Sequence, residues 1–362
     1  MSTRPACSTT GVVEHQSPVM ILNSYAVLIA FVGLLRLLLG LLVLFLGVAA
    51  WRAARRPANA GDRDVLADRF YLLFLMALLL LGLNLASWPL LYLLLQSYVP
   101  EFPGVMCIYG VTRIGEGSTG HARYLPDLVR LLQITKPALV FVGGGWFVLY
   151  LLNRRSQTAP LLPPLLLLLL PLGALATADA VAELAYVAIP KAEEVPAGGC
   201  CTGSGLNDDR FLPTGFTTES ARPWLVAGFY GWTAVLILAL FAATRARSFS
   251  GRTGLTLLFL GAVAVSVIGG VFLVDVFAPA VLKLPYHHCP YDLVPRAPDA
   301  IAAVTLFAAG GFFLGWAWIV RLSGRAPETE PLVPAMVGGL LRLGLWSYLA
   351  AVVMLSLELA LA

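Results

Sequence analysis

Long apolar runs separated by short polar connections dominate the chain. Eight runs stand out, at about 21–50, 69–98, 131–153, 160–190, 223–244, 253–281, 299–321 and 332–361. Each is long enough to cross a bilayer as a helix, which takes about 20 residues. The pattern predicts an all-α fold: a polytopic membrane helix bundle of about eight transmembrane helices. The first run exceeds a signal-peptide core and has no small-residue cleavage site behind it, so it belongs to the mature bundle.

Composition agrees with the pattern. Hydrophobic residues make up 59% and charged residues 12% of the 362, whereas a soluble domain carries roughly 25% charged residues. The partner this implies is the lipid bilayer. The net charge of +4 is gathered in short connections, which leaves no basic patch for a nucleic acid.

The connections also predict an orientation. One set of alternate connections is short and arginine-rich: Arg52, Arg55, Arg56, Arg63 and Arg69 in the first, Arg154 and Arg155 in the second, Arg245, Arg247 and Arg252 in the third, Arg321 and Arg325 in the fourth. The positive-inside rule puts these in the cytoplasm and both termini outside. Leucine- and arginine-rich composition suits a bacterial inner membrane, with the outer side periplasmic. All five cysteines, Cys7, Cys107, Cys200, Cys201 and Cys289, fall on that outer side, in an oxidising compartment.

Two outer loops share a motif. Residues 103–109 read Pro-Gly-Val-Met-Cys-Ile-Tyr and residues 285–291 read Pro-Tyr-His-His-Cys-Pro-Tyr; both fit P-x-x-x-C-x-Y after a long apolar run. A second likeness links the third span, with Gly143-Gly144-Gly145-Trp146-Phe147 before Arg154-Arg155 and Pro160-Leu161-Leu162-Pro163, to the seventh, with Gly310-Gly311-Phe312-Phe313 before Arg321 and Pro331-Leu332-Val333-Pro334. The expectation is two parallel four-helix repeats related by an axis along the membrane normal. The chain then divides into an outer N-terminal tail (1–20), a first four-helix half (21–190), an outer linker loop with Cys200-Cys201 (191–222) and a second four-helix half (223–362). The outer loop at 99–130 and the linker are both far longer than ordinary connections, a length that marks functional or irregular segments.

The outer loops collect soft and borderline ligands: Met106, Cys107, Cys200, Cys201, His287, His288 and Cys289. Thiolate, thioether and imidazole suit copper or zinc. The same cysteines are equally suited to loop-holding disulfides. No C-x-x-C, C-x-x-C-H, Walker A, HExxH or GxSxG motif is present, so no standard catalytic or haem signature applies. Tyr109 and Tyr291 are expected as aromatic anchors of the repeated loop.

One charge falls at a helix centre. Arg36 lies in Leu34-Leu35-Arg36-Leu37-Leu38, where insertion costs about 2.5–3.5 kcal/mol, so an acidic partner is expected. Asp179 and Glu183, four apart on one face of the fourth span, are the first choice; Asp275 and Glu358 are others.

Three functions follow from these features. The first is an inner-membrane protein that handles a transition metal or thiol–disulfide redox equivalents at its outer Cys/His/Met cluster. The second is a transporter with a path between the two halves. The third is a non-catalytic subunit whose disulfide-held outer loops dock other membrane or periplasmic proteins.

Overall fold

The computed structural model describes residues 23–54, 60–102, 105, 107–156, 158–191, 221–245, 251–283 and 289–362, with residues 54 and 60–69 described by their backbone alone. Eight helices among these are long and apolar enough to cross a membrane. They are α1 (Ser24–Ala54), α2 (Ala60–Tyr98), α4 (Leu125–Asn153), α5 (Leu162–Ala188), α6 (Arg222–Arg245), α7 (Arg252–Phe272, continued by a π turn at Leu273–Phe277 and the single turn α8 at Ala278–Val281), α10 (Pro298–Ser323, preceded by the single turn α9 at Leu293–Arg296) and α11 (Val333–Leu361). The chain is a multi-pass all-α membrane protein.

Three boundaries differ from the pattern. α2 begins at Ala60 and α4 at Leu125, both well before their apolar runs. Backbone hydrogen bonding carries a helix past the point where side-chain hydropathy falls. Pro126 suits the first turn of α4, where its missing N–H costs nothing. The segment 99–130 is not irregular throughout: it holds the short helix α3 (Ile108–Thr112) and a 3₁₀ turn at His121–Tyr124. Between them Gly115 has φ +91, and an added Cβ would lie 2.0 Å from the Ala122 carbonyl oxygen; only glycine fits that turn.

Helix neighbours form two four-membered groups. In the first, α1 packs on α2 and α5, and α4 packs on α2 and α5; in the second, α6 packs on α7 and α11, and α10 packs on α7 and α11. The groups meet where α4 packs on α10.

Small residues set the closest approaches. Gly33, Gly40 and Gly47 recur at seven-residue spacing along one face of α1, against Leu184, Thr177 and Leu170 of α5. From the facing helix, a Cβ on Gly173 would lie 3.1 Å from the Leu44 nitrogen. Without a hydrophobic drive between helices in lipid, such close backbone packing is what holds them together. At the join between the groups, Gly144 lies against Trp316, Gly145 against Ile319 and Gly315 against Phe141. The Trp316 indole Nε1 donates to the Phe141 carbonyl at 2.8 Å.

Each end of the molecule adds a strap between the groups. At the arginine-bearing end, the Thr158 N–H and hydroxyl donate to the Glu328 carboxylate at 3.1 and 2.7 Å. At the cysteine-bearing end, the Gln133 amide of α4 donates to the Tyr291 hydroxyl at 2.5 Å. A second apolar cluster, with Tyr98, Phe102, Ile108, Val111, Leu125 and Tyr186 at its centre and Tyr291 packed against it, seats α3 on the first group.

Candidate functional site

Two sites carry chemistry: one at the cysteine-bearing end, one inside the first four-helix group.

At the end site, Cys107 is the residue before α3, and Cys289 is the residue before a 3₁₀ turn at Pro290–Asp292. The packing of α3 against α2, α4 and that turn brings the two segments together. The Sγ atoms of Cys107 and Cys289 and a carboxylate oxygen of Asp292 all lie within 4.8 Å of one another. Both cysteines are buried, and among the described residues neither is joined in a disulfide. Tyr92 of α2 lies beside Cys289 and Asp292. Burial pushes the Tyr291 phenol above its ordinary value, with the Gln133 donor opposing that rise.

The chemistry of this group fits a metal ion. Ligand atoms around a tetrahedral zinc, at Zn–S of about 2.3 Å and Zn–O of about 2.0–2.2 Å, stand roughly 3.3–3.8 Å apart. Small side-chain movements would bring two thiolates and a carboxylate to that spacing. Asp292 was not singled out by the sequence, because an aspartate three residues after a cysteine in a loop has no distinguishing pattern. Of the other predicted ligands, Met106, Cys200, Cys201, His287 and His288 lie outside the described residues, as does Cys7. Met106 and His288 are nonetheless chain neighbours of Cys107 and Cys289. Tyr109 lies within α3, and Tyr291 in the turn after Cys289.

The second site is a closed ring of four charges, two of each sign. Arg36 of α1 donates to both Asp179 and Glu183 of α5, and its Nε donates to the Asn84 amide oxygen of α2 at 2.7 Å. Lys136 of α4 donates to Asp179 at 3.1 Å, to Glu183, and to the Ser87 hydroxyl of α2 at 3.0 Å. The Thr135 hydroxyl donates to the other oxygen of Asp179. All four helices of the group contribute, and Arg36, Lys136, Asp179 and Glu183 are each at most 3% exposed. The ring is neutral and every carboxylate oxygen is engaged, the condition under which buried charges are tolerated.

Neither of the other candidate acids joins Arg36. Asp275 is buried in the π turn after α7, and Glu358 lies beside Asp299 of α10. Lys136 was missed by sequence reasoning. It lies near the start of the third apolar run, where a lysine ordinarily extends its ammonium to the interface. The true helix start at Leu125 places it deeper. Its signal was the pairing arithmetic: one arginine cannot balance two carboxylates.

A polar file continues from the ring toward the cysteine-bearing end. Beyond Glu183 on the same face of α5 comes Tyr186, and beyond it Lys191. The buried Lys191 ammonium donates to the carbonyls of Tyr186, Val187 and Ile189, closing the end of α5, and lies over the rings of Tyr98 and Tyr186. Burial lowers its pKa to about 8.

The chain matches no known family model, no curated protein and no solved structure.

Proposed function

We propose that this is a bacterial inner-membrane protein whose outer, periplasmic end binds a thiophilic transition-metal ion through Cys107, Cys289 and Asp292. One observation carries the reading: two buried thiols and a carboxylate, from segments far apart in the chain, converge within 4.8 Å. The carboxylate separates this reading from a bare dithiol. It supplies a third ligand for a divalent ion, which a disulfide would not need. A Cys₂Asp set favours zinc, and His288 as a fourth ligand would keep that preference; Met106 in its place would favour copper(I). The ion would be gripped between the two four-helix halves, which we read as repeats. The same ring of helix neighbours in each half, and their meeting at the third helix of each, support that.

The charge ring favours this reading over a transporter with a path between the halves. Its acids are fully engaged and lie inside one half, which suits a register lock better than a proton relay.

Metal content of the purified full-length protein, read with a thiol count, tests the proposal. Stoichiometric zinc or copper is expected, restored by the metal alone after chelation, and lost in Cys107→Ser and Cys289→Ser. Asp292→Asn is expected to weaken zinc more than copper(I). Protein isolated without metal, with Cys107 and Cys289 joined as a disulfide, would overturn it in favour of disulfide-held docking loops.

A further inference from the structure

The second four-helix group holds a cleft that the end site does not use. It has a volume of about 180 Å³ and lies between α6, α7, α10 and α11. Its floor is aromatic and aliphatic: Phe229, Phe272, Phe307 and Leu355, all buried. Phe229 and Phe272 stack with ring centroids 4.1 Å apart. Its mouth carries Ser266, Gly270 and Ala308, which are exposed on the flank of the bundle.

Position along the helices gives its depth. Phe307 is nine residues into α10 and Leu355 six residues before the end of α11. At 1.5 Å per residue, both lie about 9–14 Å from the cysteine-bearing end. The mouth therefore faces hydrocarbon, in the leaflet at that end. A dry apolar cavity of about 150 Å³ is enough to hold a benzene ring. Water has nothing to bind on this floor, and a cleft open to lipid does not stay empty, because its walls would forfeit dispersion contacts.

We propose that this cleft is a binding site for one acyl chain of a phospholipid from the leaflet at the cysteine-bearing end. The tail alone is held: the floor offers no polar group, so the headgroup stays at the interface. Phospholipid is chosen over a rarer lipid because it is the solvent at the mouth. The site is independent of metal binding at Cys107 and Cys289.

Gly270 provides a clean test. It lines the cleft, yet an added Cβ there meets nothing within 4 Å, so Gly270→Leu fills the space without forcing the helices apart. Gly231 is equally open but does not line the cleft, so Gly231→Leu is the control. The full-length protein is placed in phosphatidylcholine vesicles doped with phosphatidylcholine carrying a mid-chain diazirine, irradiated, and mapped by peptide mass spectrometry. Labelling of 266–273 and 304–308 is expected to exceed that at ordinary lipid-facing positions such as Leu238. The excess should vanish in Gly270→Leu, persist in Gly231→Leu, and vanish again in Ala308→Leu, a second plug at the mouth. Uniform labelling over the lipid-facing surface would overturn the proposal. So would an unchanged excess in folded Gly270→Leu, or exclusion of the acyl probe by an isoprenoid that labels the cleft instead.

Discussion

Arg36 shows how one side chain is made tolerable in hydrocarbon. It falls on the seven-residue stripe Ile29, Arg36, Val43 that α1 turns inward, all at most 1% exposed. Two carboxylates and an amide oxygen receive it. Lys136 is the other half of the balance, and its loss should be costly: Lys136→Met leaves a buried ring one positive charge short. Breaking a buried pair this way costs about 3–5 kcal/mol. We expect a lower thermal midpoint in detergent for Lys136→Met and for Glu183→Gln singly, with the double variant more stable than additivity predicts, since together they restore neutrality. Additive losses would refute a coupled ring. Lys191 supplies a pH signature. Its folded pKa of about 8 lies below the ordinary 10.5, so between those values the unfolded chain holds more protons than the folded one, and stability must rise with pH. The penalty is fully present below about 8 and is relieved by about 10.5. Thermal midpoints measured across that window should climb in the wild type relative to Lys191→Met; parallel curves would show that Lys191 keeps its ordinary pKa.

At the scale of elements, glycines decide which helices touch. Gly144 of α4 and Gly315 of α10 leave room for the partner's aromatic ring: an added Cβ would lie 2.1 Å from Trp316 and 2.2 Å from Phe141. Gly144→Ala should therefore overpack the join, with a loss of about 1–3 kcal/mol. Gly338→Ala, on α11 with nothing within 4 Å, should be neutral or slightly stabilising, since alanine gives up less backbone entropy than glycine. Equal thermal midpoints for the two variants would contradict a tight α4–α10 contact. The third-span glycines were visible in the sequence, but which helix they faced was not, because a span that is apolar nearly all round carries little amphipathic pattern to orient it.

For the whole molecule, the eight spans among the described residues bring Ser24 and Leu361 to the end of the bundle that carries Cys107 and Cys289. We predict that a cysteine introduced at Arg154 is inaccessible to a membrane-impermeant maleimide in intact cells, while one introduced at Arg4 is labelled; the reverse pattern would invert the topology. The straps at the two ends, Gln133 to Tyr291 and Thr158 to Glu328, tie the halves on both sides of the membrane. An ion held by Cys107, Cys289 and Asp292 would add a third tie beside the first strap.

The sequence by itself determined the class, the number of spans and the need for a partner to Arg36. Those follow from hydropathy over about 20 residues and from the cost of a bare charge in lipid, both local quantities. It also picked out Cys107 and Cys289 as related through a repeated motif. Only the tertiary structure decided which groups meet. Asp292 joins the two thiols because a 3₁₀ turn folds it back toward Cys289. Lys136 joins the ring because α4 starts earlier than its apolar run. The cleft beneath Phe307 exists because Gly269 and Gly270 leave space that no single helix displays. Each is a property of convergence between segments distant in the chain, and a pattern read along one strand of sequence holds no record of which distant faces will be brought together.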